Sequence, residues 1–305
     1  DKLSRNQISK IIEKCADDYF ESNMGGVIKR NARLESNLKR IKENIFKIIS
    51  HLQNELKQSE FRPINFEFNI NEKGIANLTG DNGIEIVIRG VIDRVDIYES
   101  NGEKYIRVID YKTGKKIFSM SSLLYGINLQ MLLYMFTITG SGGAYSDCNP
   151  AGVLYMPSGE IVCGRDRDES DNMEEYLNKH YKMNGVVLND RAVLNAMEKD
   201  IQGIYIPAKL LKGDTGDGEL LLNKRSSSCL TSSQFKKLRQ HTEKIIIDVC
   251  NELYSGNIDA DPLVISGGSP CDYCDYWSVC GNVPCEKYRE ADKNAEEKML
   301  KIISD

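Results

Sequence analysis

Two acidic residues and one lysine in the second quarter of the chain are spaced to meet. Residues 84–98 and 104–112 both read as strands, and Asn101-Gly102 lies between them. An Asn-Gly pair favours a two-residue type I′ turn, because both of its positions need positive φ. That turn sets a register in which Asp93 lies directly opposite Asp110, on one side of the ladder. Side chains alternate along a strand, so Lys112 shares that side with Asp110. Like charges facing each other across a ladder cost several tenths to about 1 kcal/mol, and more where a helix covers them. A divalent cation such as Mg²⁺ would remove the conflict, because it takes oxygen ligands from one or two carboxylates, water and phosphate. The neighbouring ammonium could then orient or deprotonate a water, or stabilise charge building on phosphate oxygen. The same pattern also admits a plainer reading, a surface pair neutralised by neighbouring Lys and Arg.

Asp96 follows Asp93 by three residues and therefore points to the other face. It is expected to be structural, paired with Arg94 or a neighbour. Upstream, residues 64–70 read as a strand with Ile64, Phe66, Phe68 and Ile70 on one face, which turns Glu67 to the other. Glu67 is thus a candidate further carboxylate for a metal, or a solvated residue. Nine cysteines are present, an odd number, and Cys271, Cys274, Cys280 and Cys285 crowd together. A C-x2-C pair sends two sulfurs toward one ion. The cluster reads as a zinc or iron–sulfur site, which spacing alone does not separate. The scattered Cys15, Cys148, Cys163, Cys229 and Cys250 read as reduced thiols of a cytosolic protein.

The elements that must position these groups are both helical and extended. Residues 3–60 are charged and helical in pattern, with Ile41, Ile45, Ile48, Ile49, Leu52 and Leu56 recurring at three- and four-residue steps. A long helix is expected over residues 121–139, a short strand over 152–156 and another helix over 235–254. The Gly/Asp-rich stretch 213–218 reads as a solvent-facing turn and not a phosphate cradle, since it follows no strand-to-helix signature. A chain of 305 residues, 41% of them hydrophobic, allows one large domain with appendages. No run of about 18 apolar residues occurs, and the charged N-terminus lacks a signal core. A net charge of −5 excludes a chain wrapped uniformly in basic surface. A local phosphate groove drawn from the 40 Lys and Arg is compatible with it. Charge alone ranks nucleic acid below a neutral substrate; the hairpin reverses that ranking. No GxxxxGK[ST] motif occurs, so ATP hydrolysis is not expected of these residues. The first residue is Asp1 and not Met, as expected of a fragment or a processed product.

Gly90-Val91-Ile92-Asp93-Arg94-Val95-Asp96, followed by Val108-Ile109-Asp110-Tyr111-Lys112-Thr113-Gly114, resembles the core of the RecB-like branch of PD-(D/E)xK nucleases. The resemblance implies an α/β fold: a restriction-endonuclease-like core with a central mixed sheet flanked by helices, and a C-terminal cysteine cluster. It implies that Asp93 and Asp110 bind Mg²⁺ or Mn²⁺, with Glu67 as a further ligand, and that Lys112 is catalytic. Gln130 and Tyr134 match the Q-x-x-x-Y element of that branch, and their i, i+4 spacing puts them on one helix face. Cys271-x2-Cys274-x5-Cys280 matches the spacing that supplies three ligands to a [4Fe–4S] cluster in AddB-like and Cas4-like nucleases, where a fourth lies far upstream. That upstream cysteine and the branch's metal-binding His are expected before residue 1. His51, His180 and His241 lie outside the context of that His, and His51 reads as ordinary.

The similarity runs on through residues 151–155, 203–207 and 258–262 and so covers nearly the whole chain. It favours AddB-like proteins over Cas4-like ones, in which the stretch between Tyr134 and Cys271 would be excessive. It implies a helical flank over residues 1–60, a nuclease core with an insertion over 61–265, and a cysteine segment with a C-terminal helix over 266–305. The expected function is that of a metal-dependent DNA exonuclease domain of a bacterial helicase–nuclease subunit. Such a subunit acts in the cytoplasm with an AddA-like partner, on double-strand DNA ends in recombinational repair. The alternatives are a Cas4-like stand-alone nuclease and a catalytically incomplete DNA-binding scaffold. A structural zinc module would leave the hairpin carboxylates unexplained.

Overall fold

The computed structural model describes residues 3–23, 32–70, 78–80, 83, 85–114, 116–160, 173–210, 228–265, 268–280 and 287–304. The stretch 213–218, Cys163 and Cys285 lie outside the described residues. The chain divides into two compact units. The first comprises Asp1–Phe68, Ile92–Phe118 and Cys148–Cys229, and the second Asn69–Val91, Ser119–Asp147 and Leu230–Asp305.

In chain order the elements are α1 (Arg5–Asn23), α2 (Ala32–Gln58), β1 (Arg62–Asn69), β2 (Leu78–Thr79), β3 (Glu85–Ile86), β4 (Val91–Ser100) and β5 (Glu103–Lys112). Then follow α3 (Met120–Leu123), α4 (Gln130–Ile138), β6 (Cys148–Pro157), α5 (Met173–Tyr181), β7 (Asn184–Leu188), α6 (Arg191–Met197) and β8 (Cys229–Leu230). The last are α7 (Ser232–Tyr254), β9 (Leu263–Val264), β10 (Arg289–Glu290) and α8 (Ala295–Ser304). Six strands form a mixed sheet in the order β1-β4-β5-β6-β7-β8, so the α/β class with a central mixed sheet holds. β4 pairs antiparallel with β5, β5 parallel with β6, and β6 antiparallel with β7. A parallel pair needs a crossover connection, and here residues 113–147 supply it. β6 lies between two other strands and its Ala151–Met156 run is buried throughout. That is the continuous apolar pattern of a strand covered on both faces.

The hairpin forms as its turn residues dictate: Asn101 has φ 53° and Gly102 φ 80°, the positive values that a type I′ turn needs. α2 presents buried His51 and Glu55 from its last turns, with a charged outer face earlier in the helix. α7 opens with a capping box, in which Thr231 accepts from the Gln234 backbone and Gln234 returns the bond. Among the described residues no helix is long and apolar enough to cross a membrane.

Three expectations change. The segment 84–98 is not one strand: β3 pairs with β2 in a separate two-stranded ladder, and β4 begins at Val91. The helix expected over 121–139 breaks into α3 and α4, because Gly126 (φ 76°) and Asn128 (φ 66°) adopt left-handed backbone between them. Across residues 64–70 only the second half of the expected apolar face is buried, with Ile70 3% exposed. Ile64 and Phe66 are exposed while Asn65 and Phe68 are half-buried. Glu67 itself has φ 49°, a left-handed residue that interrupts the alternation and reverses the strand's faces.

Candidate active site

The β4–β5 ladder runs from Ser100 opposite Glu103 to Arg94 opposite Ile109, and Asp93 and Asp110 are the next residues along. The Asp93 carboxylate accepts the backbone N–H of Tyr111 at 2.7 Å. Asp110 is buried, 6% exposed. Its Oδ2 lies 2.6 Å from the Lys112 ammonium, yet that oxygen makes no hydrogen bond of good direction. Burial raises the Asp110 pKa above its ordinary value; Lys112 opposes the rise, the nearby negative charge of Asp93 adds to it, and Lys116 opposes it again. Lys112 remains partly open to solvent, with 32% of its side chain accessible. Asp93, Asp110 and Lys112 thus come together in the first unit.

The opposite face of the same two strands is chemically different. Asp96 faces Arg107 across the ladder, and both are fully buried with Arg94 and with Glu55 of α2. Arg94 donates to Asp96 through Nε at 2.7 Å and Nη2 at 2.6 Å. Arg107 donates to Asp96 at 2.8 Å and to Glu55 at 2.5 Å, and Arg94 reaches Glu55 at 3.3 Å. Two carboxylates therefore neutralise two guanidiniums, the condition under which buried charge is tolerated. Burial alone would lower the Arg94 pKa, but Asp96 and Glu55 outweigh it and raise the value. The guanidinium of Arg107 lies 5.0 Å from the centroid of the Phe61 ring. Asp96 is structural, paired with Arg94 as the alternation of side chains required.

The other sequence-derived residues are placed as follows. Gln130 and Tyr134 lie on α4 in the second unit, where Gln130 Nε2 donates to the Tyr134 hydroxyl at 3.1 Å. The Tyr134 ring packs on Gly90: a Cβ there would stand 2.1 Å from the phenolic oxygen, so only glycine admits it. Glu67 is exposed at the left-handed position in β1. Cys271 sits in a 3₁₀ turn, Pro270–Tyr273, that Ser269 caps, and Cys274 closes it. Among the described residues no three His, Cys, Asp or Glu side chains gather into a metal-holding group. Cys285 lies outside the described residues and so outside that set. Two carboxylates alone suit Mg²⁺ or Mn²⁺, which fill their remaining positions with water and phosphate. The buried, poorly satisfied Oδ2 of Asp110 fits such an ion.

His51 is buried between the rings of Tyr181 and Tyr205, at centroid distances of 5.4 and 5.1 Å. Burial lowers its pKa, against the opposing charge of Glu55 and a hydrogen bond with Asn178. It is a packing residue, as the sequence suggested. Three further residues continue from Asp110 across the sheet or act on its neighbour. Tyr155 pairs with Asp110 across β5–β6, Asn184 pairs with Tyr155 across β6–β7, and Lys116 has its ammonium 5.9 Å from the centroid of the Tyr155 ring. The Tyr155 pKa is pushed up to about 12, by burial first and then by Asp110. The strand register could have found Tyr155 only once β6 was known to lie parallel to β5. Lys116 sits in a loop, without periodicity to mark it.

The comparisons with known proteins show the family. The family model of the PD-(D/E)XK nuclease superfamily matches residues 2–281. An ATP-dependent helicase/deoxyribonuclease subunit of Clostridioides difficile (strain 630) is 30% identical over 302 residues, which cover 94% of this chain and 26% of that protein. The proteins of the same name from Clostridium novyi (strain NT) and Clostridium botulinum (strain Langeland) are 31% and 32% identical, over 100% and 97% of this chain and 26% of each relative. The chain thus spans about a quarter of the length of the curated relatives it matches. With that match over nearly all of its length, the chain belongs to the PD-(D/E)XK nuclease superfamily.

Proposed function

We propose that this chain hydrolyses DNA phosphodiesters at Asp93, Asp110 and Lys112, as the nuclease portion of a helicase–nuclease subunit. The observation that carries the proposal is the Asp110 carboxylate: buried, close to a second carboxylate, and ion-paired to a lysine on the same strand. A structural ion pair does not need a second, repelling carboxylate beside it; a divalent-cation site does. Asp93 and Asp110 would hold Mg²⁺ or Mn²⁺, which would supply Lewis-acid polarisation of the phosphate. Asp93 is oriented by the Tyr111 N–H. Lys112, tethered at 2.6 Å to Asp110, would steady an attacking water and stabilise charge building on the phosphate oxygens. Gln130 and Tyr134, joined by their own hydrogen bond, would take part in binding the DNA strand.

The proposal extends to the longer relatives' context: an exonuclease working in the cytoplasm with an AddA-like partner on double-strand ends. The names of the relatives, which join helicase and deoxyribonuclease in one subunit, support that assignment. Cleavage of end-labelled single-stranded DNA in Mg²⁺ or Mn²⁺ tests it. The unaltered chain should cut and Asp110→Ala and Lys112→Ala should lose at least about a hundredfold in rate. Cleavage by Asp110→Ala at the unaltered rate would refute the assignment.

A further inference from the structure

We infer that Lys116 is a phosphate-binding residue of this site, gripping a backbone phosphate of the bound DNA strand beside the one that is cut. The inference rests on the nuclease reading above and names a contact of that site. Asp110, Tyr155 and Asn184 form a row across β5, β6 and β7, and residues paired across a ladder point to the same side. The row therefore extends the face that bears Asp110 over two further strands.

Asn184 uses its side chain on the loop that follows β5. Its Nδ2 donates to the carbonyl of Lys116 at 2.9 Å, and its Oδ1 accepts the N–H of Phe118 at 2.9 Å. Two bonds to one short segment fix the backbone on either side of Ile117. The half-buried Lys116 side chain is thereby carried over Tyr155, its ammonium 5.9 Å from the ring centroid. An ammonium over an aromatic face is held without being neutralised. Lys112 already has Asp110 as its partner, whereas among the described residues no carboxylate lies within ion-pair distance of Lys116. The site face thus carries Lys112, ion-paired to Asp110, and Lys116, which the fold has anchored and whose charge acts on Asp110 without an ion pair to it. A phosphodiester is the anion that a nuclease brings to this place. A lysine reads it as a point charge that indicates no sequence.

The test compares the unaltered 305-residue chain with Lys116→Gln, Lys116→Arg and Asp110→Ala. Affinity for a fluorescent single-stranded oligonucleotide is read across a NaCl series, and steady-state cleavage is read in Mg²⁺. Lys116→Gln should lower the slope of log affinity against log salt by about 0.7, the value for one lost contact to a single strand. It should raise KM about tenfold with kcat nearly unchanged, since the contact is shared by ground and transition states. Lys116→Arg, which keeps the charge, should restore both. An unchanged slope and KM in Lys116→Gln, with cleavage still dependent on Asp110, would overturn this inference alone. A fall in kcat with the salt slope intact would also overturn it. A lowered slope without Asp110-dependent cleavage would uphold the phosphate contact and overturn the catalytic reading. Absence of DNA binding by the unaltered chain would overturn both.

Discussion

Asp93→Asn and Asp96→Asn are the same chemical change made three residues apart on β4, and they should have opposite consequences. Asp96 accepts bonds from Arg94 at 2.7 and 2.6 Å and from Arg107 at 2.8 Å, all fully buried. Without its charge, two guanidiniums share Glu55 alone and the core carries a net positive charge. Removing one partner from such a group costs about 3–5 kcal/mol, a large part of the roughly 5–15 kcal/mol that holds a domain folded. With a urea slope of about 3 kcal/mol per molar for a chain of this size, the unfolding midpoint should fall by about 1 M or more. Asp93 accepts one backbone N–H at 2.7 Å, which an asparagine oxygen can still accept. The net worth of that bond is about 1 kcal/mol, and relief of the repulsion from Asp110 offsets part of it. Asp93→Asn should therefore unfold within about 0.3 M urea of the unaltered chain while losing DNA cleavage. Urea unfolding followed by circular dichroism, beside a cleavage assay on each variant, reads both effects. Equal midpoint shifts in the two variants, or an intact midpoint in Asp96→Asn, would refute the division of β4 into a structural and a chemical face.

Two further outcomes follow from packing. Burial lowers the His51 pKa, so the folded state binds its proton less readily than the unfolded state. His51 then contributes stability that is present above about pH 6.5, the unfolded value, and is lost as pH falls through the folded-state pKa. His51→Phe should flatten the dependence of the melting temperature on pH from about 7 to about 5; an unflattened profile would exclude His51 as its source. Gly90→Ala sets a methyl group against the Tyr134 hydroxyl, 2.1 Å away, and should cost about 1–3 kcal/mol. Combining it with Tyr134→Ala should recover most of that loss, and additive losses in the double variant would show that the two residues are not in contact.

The hairpin was legible because its turn carries its own instruction. Asn101-Gly102 calls for positive φ at both positions, and with the turn set, strand alternation divides Asp93 from Asp96 and joins Asp110 to Lys112. The opposite-face network was legible only in part. Arg94 and Asp96 are neighbours in sequence, but Glu55 arrives from α2 through tertiary packing that no local pattern encodes. β1 misled for a physical reason: its apolar residues alternate cleanly, but Glu67 turns left-handed, a conformation uncommon outside Gly, Asn and Asp. Gly126 and Asn128 did signal the break before α4, yet apolar spacing continues across them and reads as one helix. Lys116 could not be found from sequence, since Asn184 brings it to Tyr155 from a strand that lies far along the chain.

Mn²⁺ binding followed by electron paramagnetic resonance, on the unaltered chain and on Asp93→Asn and Asp110→Asn, addresses the paired carboxylates most directly. The unaltered chain should bind an ion that each substitution releases or weakens at least about tenfold, with the fold of both variants intact. Equal Mn²⁺ binding by all three proteins would contradict the assignment of Asp93 and Asp110 as the metal-holding pair.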